Sequence, residues 1–185
     1  MNQNHYKNIL IIKHGSLGDI ISATSVIKSI KDRYTDSNIV ILTATKYRGF
    51  IMQSKLASEI LIDDRRGIFL SLKLLFSILS RKYDLIVDLQ NSSRTLCYGL
   101  FFRIFSSSKI NGTHIIYQLR YKCDRSSPPS VIKGLSYQIN LLGCEPSDKP
   151  YVSWLKLSNL SLDKIENKKF FLISPGCSTK HVQKK

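Results

Sequence analysis

The stretch Ile9-Leu10-Ile11-Ile12-Lys13-His14-Gly15-Ser16-Leu17-Gly18-Asp19 decides the fold of this chain. Four consecutive aliphatic residues predict a buried strand over 9–13, and a turn with two glycines follows at once. Ile20, Ile21, Ala23, Val26, Ile27 and Ile30 then recur at three- and four-residue spacing, which predicts a helix over 20–34. Asp19 falls at the mouth of that helix, among backbone N–H groups with no intrahelical partner, where positive partial charge favours an anion. Open α/β sheets bind ligands in the crevice beyond the carboxyl ends of their strands. From this motif alone Asp19 has two readings, a helix cap and a carboxylate placed at a cleft for acid–base chemistry.

Outward from this unit the same alternation continues. Residues 38–43 predict a second strand and 47–56 a short helix. Ile60-Leu61-Ile62 is a third strand that ends in Asp63-Asp64, and 67–80 is a strongly apolar helix ending at Arg81-Lys82. Residues 83–89 form a fourth strand, 95–105 a helix, and Lys109-Ile110-Asn111-Gly112 a short strand and turn. Residues 114–129 read as an irregular basic loop, and 131–142 as a helix closed by Gly143. Alternation of this kind predicts the α/β class, a Rossmann-like parallel sheet with helices on both faces. The apolar helices at 68–79 and 96–105 are expected to belong to the core.

Ser, Asp and Pro within 145–150 mark a boundary. Residues 1–150 are thus expected to form one domain. Residues 151–185 are expected to be a linker and the start of a second α/β unit, opening on Phe170-Phe171-Leu172-Ile173. The ending at Lys184-Lys185 reads as a truncation, and such a fragment is expected to be inactive alone.

Composition narrows the function classes. Of 185 residues 43% are hydrophobic, which argues against a disordered chain. The formal charge of +15, from 28 basic and 13 acidic residues, suits nucleic acid, an anionic membrane face or phosphorylated small molecules, or is a basic surface with no specific ligand. Cys97, Cys123, Cys144 and Cys177 are scattered with no CxxC pair, so they read as reduced thiols rather than zinc ligands. The polar start at 1–7 lacks the pattern of a signal peptide. The longest apolar stretch, 68–79, is interrupted by Lys73 and is too short to span a bilayer. A peripheral membrane contact stays open.

The first turn lacks GxGxxG, and no Lys-Ser or Lys-Thr directly follows its glycines, so neither a dinucleotide fingerprint nor a P-loop is present. Gln90, Asn91, Ser92 and Arg94 cluster after the fourth strand, at the same predicted sheet edge as Asp19. They suit a hydroxyl-rich ligand, with Arg94 fitted to a phosphate or carboxylate, or they form a polar turn capping the helix at Thr95. Asp88, inside the strand, reads as structural. His14 is placed to donate a hydrogen bond at the turn. Arg120, Lys122, Arg125 and Lys133, interleaved with Tyr117 and Tyr121, form a weak nucleic-acid pattern or a solvated face.

Four blocks, in order, resemble glycosyltransferase family 9, the heptosyltransferases of lipopolysaccharide biosynthesis. They are 11–20 with Val26-Ile27-Lys28-Ser29-Ile30-Lys31 behind it, then 83–94, Leu141-Leu142-Gly143, and Phe171-Leu172-Ile173-Ser174-Pro175-Gly176-Cys177-Ser178. His14 and Gly15 stand where the family commonly has Ser or Pro, and Asn91 where it commonly has glycine.

The resemblance implies the N-terminal half of a GT-B fold, inverting transfer, no cofactor and no catalytic metal. It implies an ADP-activated, heptose-like donor and a lipid-linked saccharide acceptor at the cytoplasmic face of the inner membrane, with no nucleic acid as partner. By position Asp19 matches the family's proposed general base. Lys13, Ser16 and Gly18, with Gln90, Asn91 and Arg94, are the acceptor-side candidates. Ser178, Thr179 and Lys184 are the donor-side candidates. Two alternatives are kept: a non-enzymatic basic module binding nucleic acid, and a GT-B enzyme with a UDP or GDP donor.

Overall fold

The structure is a computed structural model that describes residues 5–64, 67–124 and 126–155. The strand expected from Phe170 onward and the candidates Ser178, Thr179 and Lys184 lie outside the described residues. In chain order the elements are β1 (Asn8–Ile12), α1 (Leu17–Arg33), β2 (Asn38–Thr43), α2 (Arg48–Ser54) and β3 (Glu59–Ile62). Then come α3 (Ile68–Leu79), β4 (Leu85–Asp88), α4 (Ser93–Phe105), β5 (Lys109–Gly112), β6 (Leu119–Arg120) and α5 (Val131–Asn140). A short 3-10 turn at Thr45–Tyr47 precedes α2.

All strand pairs are parallel, in the order β3-β2-β1-β4-β5-β6. The aliphatic run of β1 makes it the central strand, and its side chains alternate between two cores. Ile9 and Ile11 face α1, α2 and α5, together with Ile39, Ile41, Leu85 and Val87. Leu10 and Ile12 face α3 and α4, together with Val40, Leu42, Ile86 and Ile110. A strand covered on both faces must be apolar at every position, which is why 9–12 carries no alternation. Each such fully buried aliphatic side chain contributes roughly 1.5–3 kcal/mol.

The structure departs from the sequence reading in three places. Helix α1 begins at Leu17, three residues early, so Asp19 sits in its first turn rather than before it. The loop after β5 contains the two-residue strand β6. The third departure concerns the first of the two apolar helices expected in the core: α4 buries Tyr98 and Phe102 there, but α3 buries only Leu75 and Ile78, leaving Ile68 77% and Phe69 89% exposed. A helix on a sheet buries one stripe, and α3 is apolar on the remainder as well. Beyond α5, Gly143 takes the left-handed conformation (φ 70°) that closes the helix. Tyr151 N then donates to Thr24 Oγ1 (2.9 Å), and the Trp154 ring packs edge-on against Phe50.

Candidate active site

In the order 3-2-1-4-5-6 the connections leave β1 and β4 in opposite directions, and a crevice opens between their carboxyl ends. The loops that follow these two strands meet there. Gln90 Oε1 accepts from His14 N and from Gly15 N, both at 2.9 Å, and so ties the second loop to the first.

Helix α1 starts in a capping box. Ser16 Oγ accepts from Asp19 N (3.3 Å), and Asp19 Oδ2 accepts from Ser16 N (2.9 Å). Asp19 is half-buried, and among the described residues no hydrogen-bond donor reaches its Oδ1. The cap and the chemical reading are therefore compatible, because capping engages one carboxylate oxygen and the other stays open. The two glycines differ in role. A Cβ on Gly15 would lie 2.6 Å from Asp19 Cβ and 2.9 Å from its Oδ2, whereas one on Gly18 would meet only Ser16 Oγ at 3.8 Å.

Beneath this turn Lys13 is buried, with its Nζ donating to Leu89 O at 3.0 Å. Burial pushes the ammonium below the usual lysine range, and the charges of Asp19 and Asp88 oppose that shift. Asp88 is 1% exposed and organises the second loop. Its Oδ1 accepts from Gln90 N (3.0 Å) and Asn91 N (2.9 Å), and its Oδ2 from the Tyr117 hydroxyl (2.9 Å). Burial, then the Asp88 charge, raises the Tyr117 hydroxyl far above its ordinary value, so it stays a donor. Asn91 adopts φ 49°, a left-handed conformation that asparagine tolerates and glycine favours. Its amide is engaged inward, donating to Gln138 Oε1 (2.8 Å) and accepting from Thr113 N (2.8 Å).

Arg94 is likewise held by the protein. Its Nε donates to Tyr98 Oη (2.5 Å), and its Nη2 donates to Ser71 Oγ (2.7 Å) and Asp63 Oδ1 (3.2 Å). Asp63 is 4% exposed and also accepts from the Tyr98 hydroxyl at 2.7 Å. Buried His14 places Nε2 3.1 Å from Asp63 Oδ2, out of hydrogen-bonding alignment. Asp64 accepts from Thr45 N (3.0 Å) and Thr45 Oγ1 (2.7 Å), which links the ends of β2 and β3.

The result is an open recess of about 710 Å³ at the carboxyl edge of the sheet, lined by Ser16, Asp19, Lys46, Asp63, Asp64 and Gln90 among others. Its size suits a small polar ligand. A recess of about 750 Å³ lies at the opposite edge, near Tyr83 and Ser108, where strand ends carry no switch point. Of the predicted residues, Asp19, Ser16 and Gln90 line the site recess and Lys13 lies beneath it. Gly18 is exposed on the first turn of α1, and the side chains of Asn91 and Arg94 are engaged within the fold.

Thr45, Lys46, Asp63 and Asp64 line the recess without having been singled out beforehand. The signal was available, since every strand of a parallel sheet delivers its following residues to the same edge. Among the described residues no group of three His, Cys, Asp or Glu is placed to hold a metal ion.

No family model and no curated protein sequence matches the chain. Solved structures share its fold. A glycosyl transferase of family 9 from Veillonella parvula DSM 2008 has TM-score 0.61 at 17% identity, over 80% of this chain and 44% of that one. The E. coli heptosyltransferase WaaC with ADP-2-deoxy-2-fluoro heptose has TM-score 0.58 at 9% identity, over 76% and 50%. E. coli ADP-heptose lps heptosyltransferase II has TM-score 0.56 at 18% identity, over 71% and 40%. At these identities the likeness is one of fold. It falls on the same family that the sequence blocks resemble, and the chain spans half or less of the length of each structure.

Proposed function

We propose that this chain is the acceptor-binding half of an inverting, family 9-like glycosyltransferase, transferring a sugar from an ADP-activated, heptose-like donor to a lipid-linked saccharide. The observation that carries this reading is Asp19, held through Oδ2 by Ser16 at the start of α1 and lining the switch-point recess. In this reading the acceptor hydroxyl gives its proton to the Asp19 carboxylate while its oxygen bonds to the anomeric carbon. The bond from that carbon to the nucleoside diphosphate breaks on the opposite face, which inverts the centre. A single displacement needs one base on the acceptor side and positive groups or N–H donors where the diphosphate leaves.

Lys46 and the polar rim of the recess suit the acceptor's phosphates and hydroxyls. Lys13 lies beneath the base, with its Nζ donating to Leu89 O. Ser178, Thr179 and Lys184, with residues 151–185 as the opening of a donor domain, complete the proposal on the donor side. The solved structures that carry ADP or its fluoro-heptose derivative support a nucleotide-sugar donor.

The test is a transfer assay on the chain extended through its genomic continuation, with an ADP-heptose donor and a lipopolysaccharide core acceptor. Asp19→Asn is expected to lower turnover by about 10²–10⁴-fold and to leave the melting temperature close to that of the parent. Turnover in the variant within a few-fold of the parent refutes the assignment of the base. Transfer from UDP- or GDP-sugars in place of ADP-heptose refutes the donor.

A further inference from the structure

The apolar surface of α3 and α4 is explained neither by the core nor by the recess. On α3, Phe69 is 89%, Ile68 77% and Phe76 56% exposed. On α4, Ile104 is 71% and Phe105 56% exposed. The exposed apolar side chains of the two helices meet at Phe101 of α4, whose ring lies 5.2 Å from Phe76 of α3 and 4.9 Å from Phe105, and Phe69 stands two turns from Phe76 along the same stripe of α3. A patch of this kind marks an interaction site rather than ordinary surface.

Its charge selects the occupant. Neither α3 nor α4 contains an Asp or Glu, while Lys73 and Arg103 stand exposed among the apolar side chains. Across residues 67–112 there are six basic residues (Lys73, Arg81, Lys82, Arg94, Arg103, Lys109) and two acidic ones. Neither acid lies on the two helices: Asp88 is buried, and Asp84, exposed just before β4, accepts from Lys7 N and Asn8 N through Oδ2. A second copy would bring the same positive charge against this face. An anionic bilayer offers acyl chains for the aromatic and aliphatic groups and headgroup phosphates for Lys73 and Arg103, whose stems reach from an apolar surface to a polar one. Among the described residues no helix is long and apolar enough to cross a membrane, so such a face lies along the interface.

We infer that the α3–α4 face is a docking surface for an anionic phospholipid bilayer. It lies beside the candidate site, since Arg94 Nη2 joins α4 to Ser71 of α3 and to Asp63 of the recess. A bilayer seated there brings headgroups to the edge where a lipid-linked acceptor is needed.

The test is flotation of the 185-residue protein with vesicles of phosphatidylcholine, alone or mixed with phosphatidylglycerol. The protein is expected to float with the anionic vesicles and to be released by salt. The double variant Ile68→Ser/Phe69→Ser is expected to reduce partitioning by about tenfold or more, and Lys73→Glu to reduce it by about fivefold or more. All these side chains are solvent-exposed, so the thermal unfolding of both variants should match the parent's. Should one lose its fold, Leu100→Ser/Ile104→Ser probes the same face from α4. Absence of flotation, or equal flotation of parent and variants, overturns the inference. So does a parent that is dimeric by light scattering and becomes monomeric in the Ile68→Ser/Phe69→Ser variant. The vesicles hold no saccharide, so they read lipid contact alone, and failure here is distinct from failure of the transfer assay.

Discussion

Gly15 and Gly18 look equivalent in the turn that delivers Asp19, yet the structure gives them opposite sensitivities to a single methyl group. In Gly15→Ala the new Cβ would lie 2.6 Å from Asp19 Cβ, about 1 Å inside the ordinary carbon–carbon contact distance. Asp19 Cβ is fixed to the first turn of α1 and cannot rotate away, so the turn must open. Overpacking of this kind costs about 1–3 kcal/mol, and loss of the Ser16–Asp19 capping box adds about 0.5–2 kcal/mol. The total, about 1.5–5 kcal/mol, lowers the melting temperature by roughly 3–20 °C in a chain of this size. In Gly18→Ala the nearest atom is Ser16 Oγ at 3.8 Å. Alanine there replaces an exposed helical glycine, and stability is expected to hold or rise by about 0.5 kcal/mol. Thermal and urea unfolding followed by circular dichroism measure both variants. Gly15→Ala within about 0.5 kcal/mol of the parent, or Gly18→Ala losing as much as Gly15→Ala, refutes the close approach of this turn to Asp19.

Two further outcomes are expected. Gln90→Ala removes the acceptor shared by His14 N and Gly15 N and should cost about 1–3 kcal/mol, whereas Gln90→Glu keeps an acceptor oxygen in place and should recover most of it; equal urea midpoints for Gln90→Ala and the parent rule out the clamp. The second concerns alkaline stability. Burial raises the Cys144 thiol from 9.0 to about 11 and the Tyr34 hydroxyl from 10.0 to about 12. Both groups are therefore protonated in the folded state at pH values where the unfolded chain has begun to lose those protons. Their contribution is complete below about pH 9 and is lost as pH rises through the two raised values. Urea midpoints should fall over that range, and Cys144→Ala should flatten the early part of the fall.

What was legible in the sequence is what local chemistry dictates. Four aliphatic residues in a row at 9–12 can be satisfied only by cover on both faces, and parallel strands with helical crossovers follow from that. The same logic placed Asp19 at the start of a helix and Gln90 at the same sheet edge, because parallel strands deliver their following residues to one side. Tertiary structure decided which of those polar groups face outward. Asn91 and Arg94 read as ligand-facing by type, yet their partners Gln138 and Asp63 are 47 and 31 residues away in the chain, a distance no local pattern spans. Periodicity also shows that α3 is apolar without saying what covers it, and only packing against β1, β2 and α4 separates buried Leu75 and Ile78 from exposed Ile68 and Phe69. Backbone geometry and hydration act over a few residues and so can be read from the sequence. The pairing of side chains from distant segments is set by where the folded sheet brings them.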